Sequence, residues 1–237
     1  DGSQGWTILK GTEGDSPHNW MHCTDYDYTS NDYTSGSGHN DSDGFMLSES
    51  YISGATSGTG TAVTPDNYLV SPQVLLGGSI TFWATDGNDS YGEEHFAVAV
   101  STNGNTSVND FTQVQEWTLL RARRTNQTRT ISNRTWYEYT ADLSDFSGLG
   151  YIAIRHFDCY DQWLLCIDDI EIVRKEASSW TTITNAVSPC TLSNLESGTS
   201  YVVKVKSVCG EHSESAWSQD VSFTTKDFVM GDVNGNG

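Results

Sequence analysis

Apolar and polar residues alternate with a period of two along most of the chain before residue 174. The clearest runs lie at 79–85, 95–101, 151–157 and 164–173. In the second run Phe96, Val98 and Val100 fall on one face and Ala97 and Ala99 on the other, which is the geometry of a β-strand. Glycine and asparagine separate the runs, and no window of about 11 residues keeps the helical period. The pattern predicts an all-β fold, a jelly-roll β-sandwich with minimal helix content.

The segment after residue 174 has a pattern of its own. From Leu195 to Tyr201 the chain has the spacing Leu-x-x-Gly-x-x-Tyr, followed by alternating apolar residues. This spacing resembles the corner between strands E and F of a fibronectin type III domain, where the tyrosine hydroxyl bonds back to the backbone. The run 221–225 fits the last strand of such a domain, but the strands expected before Trp180 are missing. We therefore predict a second, smaller fibronectin-like β-sandwich module at 175–226, which is either an atypical half-module or lacks residues at its start.

A third segment, 227–237, is rich in Asn and Gly. Asp232, Asn234 and Asn236 stand at positions 1, 3 and 5 of an EF-hand-type calcium loop. The stretch resembles the opening of a dockerin repeat, whose later ligand positions are not in this sequence. We interpret it as a dockerin-like stub, which implies a scaffold partner; the alternative is a flexible tail.

The net charge of the chain argues against some classes of function. The chain has 31 Asp and Glu against 12 Lys and Arg, a net charge of −19 that would repel a phosphate backbone. Nucleic acid is therefore not expected as a partner. No apolar run approaches the roughly 18 residues of a membrane span, so membrane insertion is not expected either. One basic cluster interrupts the acidic chain, and it is either a solvated hairpin or a dock for an acidic partner: Arg121, Arg123, Arg124, Arg129 and Arg134.

Catalytic and zinc motifs are missing from the sequence. It contains no HExxH, GxSxG, P-loop or GxGxxG pattern, and its five cysteines form no CxxC pair, so a structural zinc site is not expected. Cys159 with Cys166, and Cys190 with Cys209, are possible disulfide pairs. The best acid/base candidate is Glu94, which in a glycanase would need a second carboxylate such as Glu138 or Glu49. We expect a protein that is not an enzyme.

The carboxylate of Asp168 lies in the strand pattern 164–173. Strict alternation puts Asp168 on the same face as Cys166, Ile170 and Ile172. If the isoleucines face the core, Asp168 is drawn inward and needs a cation or several donors. Asp168 is therefore either a metal ligand or buried ion-pair member, or the register breaks there and it caps the strand.

The order of motifs along residues 1–174 points to one family. The motifs are GWTIL (5–9), HNW (18–20), PDNYLVSP (65–72), SITFWAT (79–85), EEHFAVAVS (93–101), WYEYTADLS (136–144), YIAIRHF (151–157) and IDDIEI (167–172). In this order they resemble the cleaved adhesin domain, known from the haemagglutinin and adhesin regions of gingipain proteases. The resemblance implies a MAM-like jelly roll at 1–174, bound Ca²⁺ and a role in adhesion.

The same resemblance implies the metal ligands. The family has an Asp-rich turn before HNW, whose acids and the Asp of the last strand are its calcium ligands. In this chain the turn is TEGDSP, so Glu13, Asp15 and Asp168 are the residues carried over, with Asp1 as a remnant of the acidic opening. Asp86 and Asp89 form either a second site or an Asx turn that needs no metal.

A loop between two predicted core strands is the candidate for recognition. Tyr160, Asp161, Gln162 and Trp163 combine aromatic faces with planar hydrogen-bonding groups, which suits a sugar ring. The alternative is that Trp163 begins the last core strand. We predict a secreted or cell-surface bacterial adhesin-type protein, stabilised by calcium, that binds host protein or glycan; the alternative is an ancillary carbohydrate-binding module of an extracellular degradative complex.

Overall fold

A computed structural model describes residues 5–23, 38–42, 44–54, 59–87, 90–119, 134–173, 180–196, 199–210 and 213–226. These residues contain β-strands and short 3-10 turns but no α-helix. The strands are β1 (Thr7–Lys10), β2 (Met21–His22), β3 (Met46–Glu49), β4 (Tyr51–Ser53), β5 (Gly60–Ala62), β6 (Asp66–Val70), β7 (Val74–Leu75), β8 (Ser79–Asp86), β9 (His95–Ser101), β10 (Thr112–Thr118), β11 (Tyr137–Asp142), β12 (Leu149–Phe157), β13 (Leu164–Val173), β14 (Ser200–Val203) and β15 (Val221–Thr224).

Two antiparallel sheets form a β-sandwich. The first has the order β1-β6-β12-β9-β10, with β7 also paired to β12, and the second has the order β11-β8-β13-β3-β2. Neighbours in both sheets are distant in sequence, since β6 pairs with β12 and β3 with β13. The predicted all-β sandwich is confirmed, and the four predicted runs correspond to β8, β9, β12 and β13.

The main core lies between the two sheets. Ile80 and Phe82 of β8 face Phe96 and Val98 of β9, and all four are fully buried. Aromatic rings fill the centre: Phe82 and Phe96 meet edge to face with centroids 6.0 Å apart, and Tyr139 stacks on Phe82 at 6.0 Å. Large rings that pack in this way account for much of the burial that stabilises a sandwich.

A β-bulge in β13 changes which residues share a face. The pairing of β13 with β8 shifts between Asp168 and Glu171, and Asp169 has a positive φ of 46°. Ile167 and Ile170 therefore both contact the main core, while Cys166 packs in a second cluster. A bulge inserts an extra residue and reverses the alternation beyond it. The expectation that Asp168 shares a face with Ile170 and Ile172 is wrong; the register breaks at Asp168.

The described residues of 180–226 form a small ribbon. β14 pairs with β15, with Tyr201 opposite Phe223. The Tyr201 hydroxyl accepts a hydrogen bond from the Glu196 backbone N–H at 2.7 Å, the contact expected for a tyrosine corner. One isolated antiparallel β-bridge pairs Val208 with Glu214. The fibronectin-like assignment stays a prediction, and the dockerin-like stub lies outside the described residues.

Candidate functional site

The loop at 158–163 connects β12 to β13, which are inner strands of the two sheets, and so lies at one end of the sandwich. Three of its residues have positive φ, namely Asp158, Asp161 and Trp163. The Ser50 hydroxyl accepts hydrogen bonds from the backbone N–H groups of Gln162 (3.1 Å) and Trp163 (2.9 Å). The Trp163 carbonyl in turn accepts from the Ser50 N–H at 2.8 Å. Several hydrogen bonds therefore hold this loop in a conformation that isolated residues of these types rarely adopt.

Beneath this loop lies a cluster of buried polar side chains. Glu94 and His156 have no exposed surface, and Cys159 is partly buried. The Glu94 Oε2 atom lies 2.9 Å from His156 Nε2 and accepts from Cys159 Sγ at 3.2 Å. Glu94 Oε1 accepts from the Ser50 hydroxyl at 2.9 Å. Burial, and then the negative charge of Glu94, raise the pKa of the Cys159 thiol far above its usual range.

The four residues predicted to bind a ligand have different environments. Tyr160 exposes 59% of its surface, whereas Trp163 packs against the second cluster, formed by Phe45, Leu47, Trp136, Leu164 and Cys166. The Gln162 side chain accepts from the Glu93 N–H at 3.0 Å and so ties the loop to the segment before β9. Tyr91 on that segment is 52% exposed. Two exposed tyrosines, Tyr91 and Tyr160, thus flank this end of the sandwich, and we call the surface that they form the tyrosine edge.

Glu13 and Asp15 lie against the first sheet. The Arg155 guanidinium donates to Glu13 Oε2 at 2.5 Å and to Asp66 Oδ1 at 2.8 Å. Asp15 Oδ1 accepts from the Thr64 N–H at 2.7 Å. The Arg155 guanidinium pairs with Glu13, and Asp15 joins its segment to the distant backbone of Thr64. In this arrangement an arginine and a backbone N–H group contact these carboxylates, and their role as calcium ligands stays a prediction. Asp1 and Asp89 lie outside the described residues.

Asp168 meets a different segment of the chain. Its Oδ2 atom accepts from the His39 N–H at 2.8 Å and from the Ser42 hydroxyl at 2.6 Å. A Cβ atom on Gly38 would lie 2.1 Å from Asp168 Oδ2 and 2.6 Å from the Gly44 carbonyl oxygen, so only glycine fits there. The His39 ring stacks on Trp83 with centroids 4.0 Å apart. The structure therefore joins Asp168 to residues 38–42 and to Gly44, and not to Glu13 or Asp15.

Other predicted residues also have new roles. Arg134 is buried, and its Nη2 atom lies 2.8 Å from Asp86 Oδ1, so Arg134 does not belong to a solvated hairpin and Asp86 belongs to an ion pair. The other arginines of the basic cluster lie outside the described residues. Glu94 cannot reach a glycosidic bond because its carboxyl group is buried and hydrogen-bonded. All five cysteines are described, and none forms a disulfide.

Sequence reasoning missed the cluster of Glu94, His156 and Cys159. Its members lie up to 65 positions apart, and only the pairing of β9 with β12 brings them together. One signal existed in the sequence, since a histidine near the end of a buried strand is followed three positions later by a cysteine. Among the described residues, no other group of three or more His, Cys, Asp or Glu side chains converges closely enough to hold a metal ion.

Comparison with known proteins identifies the family. The family model described as Cleaved Adhesin Domain matches residues 3–172. Lys-gingipain W83 of Porphyromonas gingivalis is 36% identical over 123 residues, which are 49% of this chain and 7% of that protein. Hemagglutinin A of Porphyromonas gingivalis is also 36% identical over 123 residues, which are 49% of this chain and 6% of that protein. The chain thus spans a small fraction of the length of these relatives.

A solved structure supports the same relationship. The K1 cleaved adhesin domain of Lys-gingipain from Porphyromonas gingivalis W83 superposes with a TM-score of 0.56 at 30% sequence identity. The match covers 73% of this chain and 92% of that domain. Among the described residues, no helix is long and apolar enough to cross a membrane. The matched region accounts for most of the sequence, and the chain therefore belongs to the cleaved adhesin domain family.

Proposed function

We propose that this protein is a non-catalytic bacterial adhesin-type protein, secreted or displayed at the cell surface, that binds a host protein or glycan. The similarity is to adhesin domains and to a hemagglutinin, whose names denote attachment. The ligands of those proteins are not assigned to this chain. They enter this proposal only as the class of function to be tested.

The observation that carries the proposal is the edge formed by Tyr91 and Tyr160. Both rings are about half exposed, and the bond from the Glu93 N–H to Gln162 joins the two segments that bear them. An exposed tyrosine offers a large apolar face and a hydroxyl at low entropic cost. Asp161 adds a carboxylate between the aromatic residues of the loop. Such a surface on a rigid sandwich suits a sugar ring or the polar rim of a protein partner.

A binding experiment tests this edge and separates the ligand classes. The wild-type chain and the variant Tyr91→Ala/Tyr160→Ala are applied to a glycan array and to immobilised matrix proteins and haemoglobin. We expect binding by the wild type and a loss of roughly tenfold or more in the variant, the usual size of effect for aromatic interface residues. Selective binding to polysaccharides favours the carbohydrate-binding module, and binding to the proteins alone favours the adhesin. An unchanged affinity in the variant contradicts the role of this edge.

Calcium stabilisation is a second part of the proposal, with the ligand set changed. Three oxygen atoms converge, namely Asp168 Oδ2 and those of the Ser42 hydroxyl and the Gly44 carbonyl. Ser42 Oγ lies 2.6 Å from Asp168 Oδ2 and 3.1 Å from the Gly44 carbonyl oxygen. Carboxylate, hydroxyl and carbonyl oxygens are the donors that calcium prefers, although it takes six to eight of them and these are three. When bound, calcium would neutralise Asp168 and hold Ser42 and Gly44 against β13.

Thermal unfolding tests the calcium proposal. We expect the wild-type midpoint to fall when EDTA replaces millimolar Ca²⁺, because a ligand that binds only the folded state stabilises it. The variant Asp168→Asn should show a much smaller difference, while Asp15→Asn should respond as the wild type does. Equal wild-type midpoints in calcium and in EDTA would count against any calcium site.

A further inference from the structure

Three side chains with different ligand atoms converge beneath the 158–163 loop. They are Glu94 just before β9, His156 near the end of β12, and Cys159 in the loop itself. Their ligand atoms all lie within 4.8 Å of one another. The separations are 2.9 Å for Glu94 Oε2 to His156 Nε2, 3.2 Å for Cys159 Sγ to His156 Nε2, and 3.2 Å for Cys159 Sγ to Glu94 Oε2.

We propose that Glu94, His156 and Cys159 bind a divalent transition metal ion of the zinc type. A mixed set of sulfur, nitrogen and oxygen atoms is what zinc accepts, whereas calcium and magnesium take oxygen atoms alone. The site uses neither the exposed tyrosines nor Asp168 as a ligand, so its test does not depend on the proposed adhesion or on calcium.

The triangle of ligand atoms has nearly the size that zinc requires. Bonds of about 2.0–2.3 Å at tetrahedral angles separate the ligand atoms by about 3.3–3.6 Å. The observed separations of 2.9–3.2 Å are those of hydrogen bonds. An outward movement of a few tenths of an ångström per side chain would therefore convert the hydrogen-bonded triangle into three of the four ligand positions of a tetrahedral site. The partial exposure of Cys159 leaves the fourth position to water.

The groups around the triangle orient its members. His156 Nδ1 lies 2.7 Å from the Ser48 hydroxyl, so the ring can donate Nδ1–H to Ser48 and keep the Nε2 lone pair for the metal. Asn67 Nδ2 donates to the same hydroxyl at 2.9 Å. The Ser50 hydroxyl holds the other oxygen of Glu94. Such partners are the usual supports of ligating histidines and carboxylates.

Charge favours a cation at this point. Glu94 is buried, and an ionised carboxylate there is costly without a positive partner. A divalent ion with one carboxylate and one thiolate would leave the site neutral. On binding, the Cys159 S–H bond breaks, a sulfur–metal bond forms, and that proton passes to solvent. The proton that Nε2 of His156 shares with Glu94 in the metal-free state is replaced by the metal, and the neutral ring then carries its proton on Nδ1, where it faces Ser48.

Cobalt and zinc binding to the intact chain tests the site. Protein stripped with a chelator is titrated with Co²⁺, and zinc retained after dialysis against ZnCl₂ is measured by mass spectrometry. We expect about one tightly held equivalent per chain and a thiolate-to-cobalt absorption band in the near ultraviolet. The absence of that band in the wild type would overturn the proposal.

Two matched variants decide which thiol is the ligand. Cys159→Ser keeps the size of the side chain and should lose the band and the retained zinc, with its folded state checked by circular dichroism. The control Cys190→Ser/Cys209→Ser removes two exposed thiols and should keep both signals. If the Cys159→Ser variant keeps the band, or the control loses it, the site is elsewhere. Glu94→Gln offers a second check, since it should weaken zinc binding without removing the thiolate band.

Discussion

The sandwich and the segment 180–226 share alternating sequences but differ in what their apolar residues contact. In the sandwich, Phe82, Phe96 and Ile154 are fully buried. In the second region Val187 is 77% exposed and Val205 65% exposed. Alternation predicts a strand in both regions, but burial requires a second sheet to cover the apolar face. The sandwich has that sheet, and the described residues of 180–226 form only a two-stranded ribbon.

The two regions also use their cations differently. Arg134 lies in the sandwich interior against Asp86, whereas Lys204 of the second region lies over the rings of Trp180 (4.1 Å) and Trp217 (5.3 Å) at the surface. A buried charge must keep its partner, but a surface cation can lose one contact at small cost. The stability of the protein should therefore depend mainly on the sandwich.

Truncation of apolar side chains gives the largest expected contrast. Phe96→Ala should lower the free energy of unfolding of the sandwich by about 3–5 kcal/mol, because it leaves a cavity among packed rings. Val205→Ala should change it by no more than about 0.5 kcal/mol. Guanidinium chloride denaturation followed by tryptophan fluorescence measures both. Similar losses in the two variants would mean that the regions share one core.

Removal of cations gives a contrast of similar or slightly smaller size. Arg134→Ala leaves the Asp86 carboxylate buried and should cost about 3–5 kcal/mol. Lys206→Ala removes a side chain that pairs with Glu214 at the surface and should lower the free energy of unfolding by only about 0–1 kcal/mol. The same denaturation series provides the numbers, and a cost below about 1 kcal/mol for Arg134→Ala would contradict its buried pairing.

Alkaline pH should lower the free energy of unfolding through the buried thiol of the sandwich, Cys166, and not through the exposed thiol Cys190 of the second region. Burial raises the pKa of Cys166 well above its ordinary value, so the unfolded thiol ionises first, from about pH 8.5. At this residue the folded state then holds one more proton than the unfolded state, and the Cys159 thiol, whose pKa is also raised, adds a second. The protonated thiol therefore contributes its full share to the free energy of unfolding below about pH 8.5. That contribution falls as the pH rises, by about 1.4 kcal/mol for one such thiol at pH 9.5.

Matched variants in the presence of chelator check this assignment. Cys166→Ala should reduce the slope of stability against pH between about 8.5 and 9.5, relative to its own value at pH 7. Cys190→Ser, which changes an exposed thiol of the second region, should leave the slope as in the wild type. A slope that is unaffected by Cys166→Ala would assign the alkaline loss to other groups.

The smallest expected effect concerns the tyrosine corner. Tyr201→Phe removes the hydroxyl that accepts from the Glu196 N–H and should destabilise the β14–β15 ribbon by about 0.5–1.5 kcal/mol. Amide hydrogen exchange of residues in β14 reports this local change, with the β12 amides as an internal reference. Unchanged protection in β14 would show that the corner does not stabilise the ribbon.

The sequence predicted the strands of the sandwich well because their apolar faces have a strict period. The bounds of β9 agree with the run 95–101, and those of β13 with 164–173. Alternation could not predict the bulge after Asp168, because a single inserted residue leaves no periodic signal. The partners of Asp168 and the convergence of Glu94 with Cys159 depend on pairings between distant strands. Those contacts follow from the fold and not from local sequence.

The most direct test of the account compares binding by the two regions. Affinity is measured for the best ligand found on the arrays, using the wild type, Tyr91→Ala/Tyr160→Ala, and the second-region variant Val187→Ser/Val205→Ser. The account predicts a loss of roughly tenfold or more only for the tyrosine variant. A full affinity in that variant, together with a loss in the valine variant, would place recognition in the second region and contradict the account.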